Sequence, residues 1–157
     1  MDIFLATARI TTAFDNPGDI LFDFRLQEAY QYHRQHGCDV TLVLCDDPEF
    51  NQVRVAGNEN IIDFGVQTYT AAKCSAVLTF TGIHILNPEV LHWIPAGQFA
   101  SIIDVYRNML ANGVTLKAYI PTHGFWKDIG SIQRYRDIVY EEMASRAFQT
   151  AFSCTAD

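Results

Sequence analysis

Apolar and polar positions follow a helical period in the first part of the chain and a strand period soon after it. Apolar residues recur every three to four positions over Leu26–His36, which predicts a helix that Gly37 is placed to end. The nearly unbroken apolar run Val40–Leu44 is typical of a buried strand. Segments 51–55 and 60–64, with a glycine and an asparagine between them, predict a β-hairpin.

The second half of the chain continues with strands and helices in alternation. Ala76–Leu86 is rich in β-branched and aromatic residues and predicts the longest strand. Asn87 before Pro88 is typical of the start of a short helix. The other expected elements are a helix over 105–110 after a capping box at 101–104, strands over 114–120 and 124–126, and a final helix capped by Ser131. This order predicts an α/β fold with a mixed sheet.

Length and charge restrict the classes of protein that fit. A chain of 157 residues is long enough to form one hydrophobic core, so we expect a single domain over 1–157. The net charge of −7 argues against a nucleic-acid partner, because non-specific nucleic-acid binding needs a basic face. An acidic protein that handles phosphates needs metal ions or a few placed cations to offset the repulsion.

Membrane and redox signals are weak in this sequence. No apolar run approaches the roughly 20 residues of a membrane span, and a basic segment typical of a signal peptide is missing. We therefore expect no membrane partner. The cysteines have no CxxC spacing, so we interpret Cys38, Cys45, Cys74 and Cys154 as reduced thiols of a cytoplasmic protein.

Two acidic residues lie in expected turns near strand ends. Asp128 follows Phe125 and Trp126 and precedes a glycine, and Asp19 lies far upstream after another glycine. If the two carboxylates met, they would suit a Mg²⁺ site for phosphate chemistry. The alternative is an Asx-turn acid at Asp19 and an acid favoured by a helix dipole at Asp128. Spacing alone does not decide between these interpretations.

The histidines offer weaker candidates. His84 lies on the longest predicted strand near Gly82, so it either contacts a ligand or is a core histidine with its hydrogen bonds satisfied. His33 and His36 are three apart on one helix, but a third ligand is missing nearby. We therefore expect a solvated helix end there.

Four motifs occur in an order that resembles one enzyme family. They are Gly18-Asp19-Ile20-Leu21-Phe22-Asp23, Thr79-Phe80-Thr81-Gly82-Ile83-His84-Ile85-Leu86-Asn87-Pro88-Glu89-Val90-Leu91, Ser101-Ile102-Ile103-Asp104-Val105-Tyr106 and Phe125-Trp126-Lys127-Asp128-Ile129-Gly130-Ser131. Together they resemble the sugar-1-phosphate nucleotidyltransferases, or NDP-sugar pyrophosphorylases, in particular the mannose-1-phosphate guanylyltransferase-like and glucose-1-phosphate thymidylyltransferase-like members. The resemblance covers 17–140 as the C-terminal half of the catalytic domain, leaves 1–16 unassigned, and implies a partial Rossmann-like layer.

The resemblance implies a reaction and roles for particular residues. The expected reaction is Mg²⁺-dependent transfer from a nucleoside triphosphate to a hexose 1-phosphate, giving an NDP-sugar and pyrophosphate. By match, Asp19 and Asp128 are the catalytic residues and the Mg²⁺ ligands. Gly82 matches the glycine on the strand along the sugar. His84 and Lys127 are further candidates for substrate binding, although Lys127 is equally interpretable as solvated.

The sequence also departs from the family's pattern. The family's Gly-x-Gly-x-Arg-Leu-x-Pro loop, which holds the triphosphate, has no counterpart here, and Gly65–Tyr69 stands where a Glu-Lys-Pro segment is expected. Lys73 is a weak replacement for that lysine. We therefore expect impaired transfer by this chain alone. Two alternatives are a non-catalytic sugar-nucleotide-binding or regulatory module that pairs with an intact subunit, and a reading frame that starts upstream of Met1. An exposed sheet edge would favour a homo- or hetero-oligomer.

Overall fold

The computed structural model describes residues 19–65 and 74–141. The strands and helices alternate along the chain as the sequence predicts. In order they are β1 (Ile20–Phe22), α1 (Leu26–His36), β2 (Val40–Cys45), β3 (Val53–Val55), β4 (Ile61–Phe64), β5 (Ala76–Leu86), a 3₁₀ helix (Pro88–Trp93), α2 (Ile102–Ala111), β6 (Leu116–Tyr119), β7 (Trp126–Asp128) and α3, described over 132–141.

The strands form two sheets. The larger sheet has five strands in the order β4-β3-β5-β2-β6, and the smaller one pairs β1 with β7. Within the larger sheet β2 is parallel to β6, and its other strand pairs are antiparallel. The predicted α/β fold with a mixed sheet and a β3–β4 hairpin is confirmed. We call the β1–β7 sheet the ribbon; it is antiparallel and pairs Ile20 with Asp128.

Helix α1 begins and ends where its apolar period predicts. Gly37 adopts the left-handed conformation (φ 57°) and donates its N–H to the His33 carbonyl at 3.1 Å. The expectation of a solvated helix end is wrong for His33, which is buried beside Ala29. Its Nδ1 lies 2.9 Å from the hydroxyl of Thr41 on β2, so the side chain links the helix to the sheet.

The main core lies between the five-stranded sheet and α2. Leu42 and Leu44 point from β2 to the same face, and both are completely buried. Tyr106 and Met109 of α2 pack against that face in the same cluster. Each fully buried apolar side chain of this size contributes about 2 kcal/mol through burial, so this face contributes most of the hydrophobic stabilisation.

A smaller cluster lies on the opposite face of the sheet. Val43, the residue between Leu42 and Leu44, packs with Ala29 of α1 and with Ile83 and Ile85 of β5. Partly buried side chains extend the cluster toward α1, β6 and the ribbon: Ile20, Phe22, Phe24, Tyr30 and Tyr119. Apolar contacts therefore hold the ribbon against the sheet.

Several elements differ from the sequence-based expectation. Helix α2 begins at Ile102 rather than at 105, and the expected capping box is wrong, since the Ser101 side chain makes no capping hydrogen bond. The segment after Asn87 is a 3₁₀ helix, and the Asn87 side chain does not cap it but donates to the Cys38 carbonyl at 3.2 Å. The last short strand is β7 rather than 124–126. Gly124 makes the preceding turn (φ 98°), where a Cβ would lie 2.1 Å from the Asp23 carbonyl oxygen. No side chain fits there. Backbone bonding across the ribbon begins just after this turn, where the Phe125 carbonyl accepts the Asp23 N–H at 3.0 Å.

Helix α3 forms where its apolar period predicts, and Ser131 caps it by accepting the Arg134 N–H at 3.2 Å. Its apolar positions are not covered, however: Ile132 is 81% exposed and Tyr135 is 56% exposed. The period therefore predicted the helix correctly but not its burial. None of the helices in residues 19–65 and 74–141 is long and apolar enough to cross a membrane.

Candidate functional site

A cleft of about 280 Å³ opens between the ribbon, β5 and α2. Its walls are largely apolar and aromatic, with a small number of polar groups, which is the usual composition of a ligand site. The lining residues are Asp19, Ile20, Phe50, Gln52, Val53, Phe64, Thr79, Phe80, Thr81, Gly82, Ile103, Arg107, Trp126 and Asp128.

One wall of the cleft is shaped by a bulge in β5. The pairing register passes from Leu42 opposite His84 to Leu44 opposite Phe80, so residues 81–83 face the single residue between the two leucines. Gly82 adopts a positive φ of 84° within the bulge, a conformation that side chains rarely take. The Thr81 hydroxyl donates to the backbone carbonyl of residue 43 at 2.8 Å and fixes the bulge. Gly82, expected beside the substrate, does line the cleft.

The two candidate acids converge at the rim of the cleft. Asp19 directly precedes β1, and its carbonyl accepts the Ile129 N–H at 2.7 Å. Asp128 ends β7, so both carboxylates lie at one end of the ribbon. A Cβ placed on Gly130 would lie 3.2 Å from Asp19 Oδ2 and 3.4 Å from Asp128 Oδ1. One oxygen of each carboxylate therefore lies beside the same point, and we call the space that the missing Cβ leaves there the notch.

The Asp128 carboxylate already has a cationic partner. Its Oδ1 accepts hydrogen bonds from the Gly130 N–H at 3.1 Å and from Arg134 Nη1 at 2.9 Å. Arg134 Nη2 also donates to Glu49, and the guanidinium lies 4.7 Å from the centre of the Phe50 ring. The hydrogen bond to Glu49, with the Asp128 contact after it, raises the pKa of Arg134. The arginine is therefore positively charged and partly neutralises the rim.

A tryptophan joins the ribbon to the sheet across the cleft. Trp126 Nε1 donates to the Thr81 carbonyl at 3.1 Å, within the bulge of β5. Its indole meets the Phe50 ring edge-on, with the ring centroids 5.8 Å apart. Of the two aromatic residues before Asp128 in the sequence motif, Trp126 therefore connects the acid-bearing ribbon to the opposite wall.

The residues at the rim fit a Mg²⁺ ion. No group of three or more histidine, cysteine or carboxylate side chains that could hold a metal occurs in the part of the chain that the structure describes. Mg²⁺ does not need such a cage, since it prefers one or two carboxylates together with water and phosphate oxygens. Asp19 and Asp128 supply two carboxylates, and one oxygen of each lies beside the notch at Gly130.

His84 and Lys127 lie away from the cleft lining. His84 is 1% exposed; its Nδ1 lies 2.9 Å from the Tyr106 hydroxyl, and burial lowers its pKa to about 4. This placement matches the alternative of a core histidine, although Nε2 has no hydrogen-bond partner among the described residues. Lys127 is exposed in β7 opposite Leu21. A substrate contact by His84 or Lys127 stays a prediction.

Sequence reasoning missed two arginines of the site. Arg107 of α2 lines the cleft, donates to the Phe64 carbonyl at 3.1 Å and pairs with Asp104 at 2.9 Å. The i,i+3 spacing of Asp104 and Arg107 was a visible signal for this pair. Arg134 gave no comparable signal, because nothing in its local sequence predicts a contact with Glu49, 85 positions upstream.

Comparison with known proteins identifies relatives of the chain. No family model matches it. It is 30% identical over 125 residues to a UTP–glucose-1-phosphate uridylyltransferase of Synechocystis sp., covering 75% of this chain and 31% of the relative. It is 27% identical over 123 residues to an Oryza sativa subsp. japonica protein named "Probable mannose-1-phosphate guanylyltransferase 1". That match covers 74% of this chain and 32% of the relative. The chain thus spans about a third of the length of the curated relatives it matches.

Solved structures share the fold. HddC from Yersinia pseudotuberculosis complexed with GMP-PN aligns with a TM-score of 0.60 at 14% identity, over 83% of this chain and 54% of that one. UDP-glucose pyrophosphorylase from Acinetobacter baumanii aligns with a TM-score of 0.57 at 16% identity. That alignment covers 75% of this chain and 46% of the other. The fold is therefore the Rossmann-like α/β fold of nucleotidyltransferases. The relatives of this chain are sugar-1-phosphate nucleotidyltransferases, matched over the C-terminal part of their catalytic domain, and the resemblance expected from its motifs is confirmed.

Proposed function

We propose that the cleft is the site of Mg²⁺-dependent nucleotidyl transfer from a nucleoside triphosphate to a hexose 1-phosphate. The observation that supports this most directly is the convergence of Asp19 and Asp128 on the Gly130 notch, although 109 positions separate them in the chain. Relatives named for transfer to glucose 1-phosphate and mannose 1-phosphate support the same class of substrates.

The chemistry makes particular demands on the protein. A phosphate oxygen of the sugar 1-phosphate attacks the α-phosphorus, the bond to the bridging oxygen of the β-phosphate breaks, and pyrophosphate leaves. The protein contributes chiefly by positioning and by charge. Asp19 and Asp128 would hold Mg²⁺, which supplies neutralisation of the phosphate charges when it is bound. The bulge at Gly82 would let a sugar approach the backbone, and Trp126 and Phe50 would exclude water from the cleft.

We also propose that this chain, taken alone, transfers slowly. Its 157 residues contain no glycine-rich loop of the kind that binds a triphosphate through backbone N–H groups. Arg107 is a cation in the cleft lining, but it already contacts Asp104 and the Phe64 carbonyl. Affinity for the triphosphate would therefore be low even where the acids and the sugar wall are in place.

The test is release of pyrophosphate with Mg²⁺ from UTP and glucose 1-phosphate, and from GTP and mannose 1-phosphate. We expect Asp128→Asn to reduce turnover by about a hundredfold, the loss typical of a removed charge-stabilising group. Asp137→Asn is the matched control, since Asp137 lies on α3 and accepts a hydrogen bond from Gln133 at 2.7 Å, away from the cleft lining. Turnover that survives Asp128→Asn would remove the assignment of Asp128 as a metal ligand.

A second candidate function is a non-catalytic sugar-nucleotide-binding or regulatory module that pairs with an intact subunit. The observation that favours it is the Arg134–Asp128 pair, because this carboxylate is compensated without a metal ion. Calorimetry with UDP-glucose, with and without Mg²⁺, distinguishes the two functions. Binding that needs no Mg²⁺ and is accompanied by no turnover supports the module.

A further inference from the structure

Arg134 connects three parts of the molecule at the rim of the cleft. It lies in the first turn of α3, contacts Asp128 at the end of β7, and donates to Glu49 in the segment between β2 and β3. Its guanidinium also lies over the Phe50 ring, with Cζ 4.7 Å from the centroid. Phe50 and Asp128 both line the cleft, so this arginine contacts two of the lining residues from outside the lining itself.

The contact with Asp128 uses the same oxygen that faces the notch. Asp128 Oδ1 is the atom 3.4 Å from the Cβ position of Gly130, and it is also the acceptor for Arg134 Nη1 and the Gly130 N–H. A carboxylate oxygen that already accepts two hydrogen bonds has little capacity left for a metal ion. A guanidinium within hydrogen-bond distance also repels a divalent cation at that oxygen. The arginine and the cation therefore compete for Asp128.

The remaining contacts of Arg134 do not depend on Asp128. Glu49 and the face of the Phe50 ring would keep the guanidinium beside the cleft after its bond to Asp128 breaks. The side chain is partly exposed, at 36%, so it has room to turn away from the ribbon. Release would therefore be local, since it breaks one ion pair and leaves the cap of α3 at Ser131 intact.

We infer that Arg134 is a cation-sensitive latch: it holds Asp128 and α3 together until a divalent cation binds at Asp19 and Asp128, and it is then displaced from Asp128. This inference rests on the proposed magnesium site and adds a regulatory element to it. Arg134 does not act on the reacting phosphates in this scheme; it sets how tightly the cation binds and whether α3 is fastened to the rim.

The test compares the affinity of wild type, Arg134→Gln and Arg136→Gln for Mn²⁺, measured by electron paramagnetic resonance of the free ion. Arg136→Gln is the matched control, since it removes the same charge from the same helix. Within residues 19–65 and 74–141, the Arg136 guanidinium lies over the Tyr140 ring and pairs with no carboxylate. We expect Arg134→Gln to bind Mn²⁺ about threefold to fivefold more tightly, as when a partly exposed ion pair stops competing. Arg136→Gln should stay within about twofold of wild type.

A second measurement follows the arginine itself. In the wild type, the side-chain Nε–Hε signal of Arg134 in the NMR spectrum should shift as Mg²⁺ is added, and that of Arg136 should not. Equal Mn²⁺ affinity in wild type and Arg134→Gln, or weaker binding by the variant, would overturn the latch and leave the magnesium site standing. Absence of Mn²⁺ binding in all three proteins would overturn the site and the latch together.

Discussion

The two walls of the cleft are built in different ways. The wall formed by β5 belongs to a five-stranded sheet whose main core includes the completely buried Leu42, Leu44 and Tyr106. The wall formed by the ribbon consists of two three-residue strands, held by partly buried side chains and by the indole of Trp126. Both candidate metal ligands lie on the thinner wall. The comparison indicates that fold stability resides mainly in the sheet, whereas the proposed chemistry depends on the ribbon.

The largest effect is expected when one leucine of the sheet and one leucine of the ribbon are each replaced by alanine and their losses of stability are compared. We expect Leu42→Ala to lower the free energy of unfolding by about 3 kcal/mol, because Leu42 is completely buried and a cavity remains. Leu21→Ala on the ribbon removes the same atoms from a side chain that is 41% exposed, and it should cost about 0.5 kcal/mol or less. Urea unfolding of both variants measures the difference. Equal losses would show that the ribbon is part of the main cooperative core.

Acid should weaken the sheet wall through His84. Burial lowers the pKa of His84 in the folded protein to about 4, below its usual value of about 6.5, so the folded state keeps this ring neutral. Above pH 6.5 the buried neutral ring costs the folded state no stability relative to the unfolded chain. Stability is lost as the pH falls from about 6.5 to 4, because over this range only the unfolded chain gains the proton. The loss amounts to about 3 kcal/mol over that range.

Urea unfolding at pH 7 and at pH 4.5 measures how much stability each protein loses in acid, and comparison of variants isolates the part that is due to His84. His84→Gln should show a smaller fall in stability than wild type, while His36→Gln, which replaces an exposed histidine, should behave like wild type. The same pH dependence in all three proteins would contradict the assignment to His84.

A smaller effect than those of Leu42 and His84 is expected at the link between the walls. Trp126→Phe keeps an aromatic ring but removes the N–H that donates to the Thr81 carbonyl, which should cost about 1 kcal/mol. Because this bond anchors the ribbon, amide hydrogen exchange should become faster in β1 and β7 and stay unchanged in β5. Faster exchange in both walls would show that the ribbon and the sheet open together.

The sequence predicted the sheet better than the ribbon, and the reason is physical. Ala76–Leu86 matched β5 to the residue, because a long run of β-branched and aromatic side chains is a strong strand signal. The strands of the ribbon are too short to carry a period. Their pairing depends on Gly124 lying against the backbone of Asp23, a tertiary contact that no local pattern reports.

The candidate site could be predicted from the sequence only in part, for the same reason. Residue types and motif resemblance singled out Asp19 and Asp128, but only the structure brings them together at Gly130. The sequence left two interpretations of His84, a ligand contact or a core histidine. The structure places it in the core, at 1% exposure. Arg134 could not have been found, since its partner Glu49 lies on a distant segment and the ion pair leaves no trace in local spacing.

The pairing of Ile20 with Asp128 has a consequence for how such a protein could change its specificity. Asp19 directly precedes β1 and Asp128 ends the paired strand β7, so a displacement of the ribbon moves the two acids together and preserves the separation between them. Substitutions in the sheet could then reshape the cleft beside the bulge, while the spacing of the two proposed cation ligands remains unaltered.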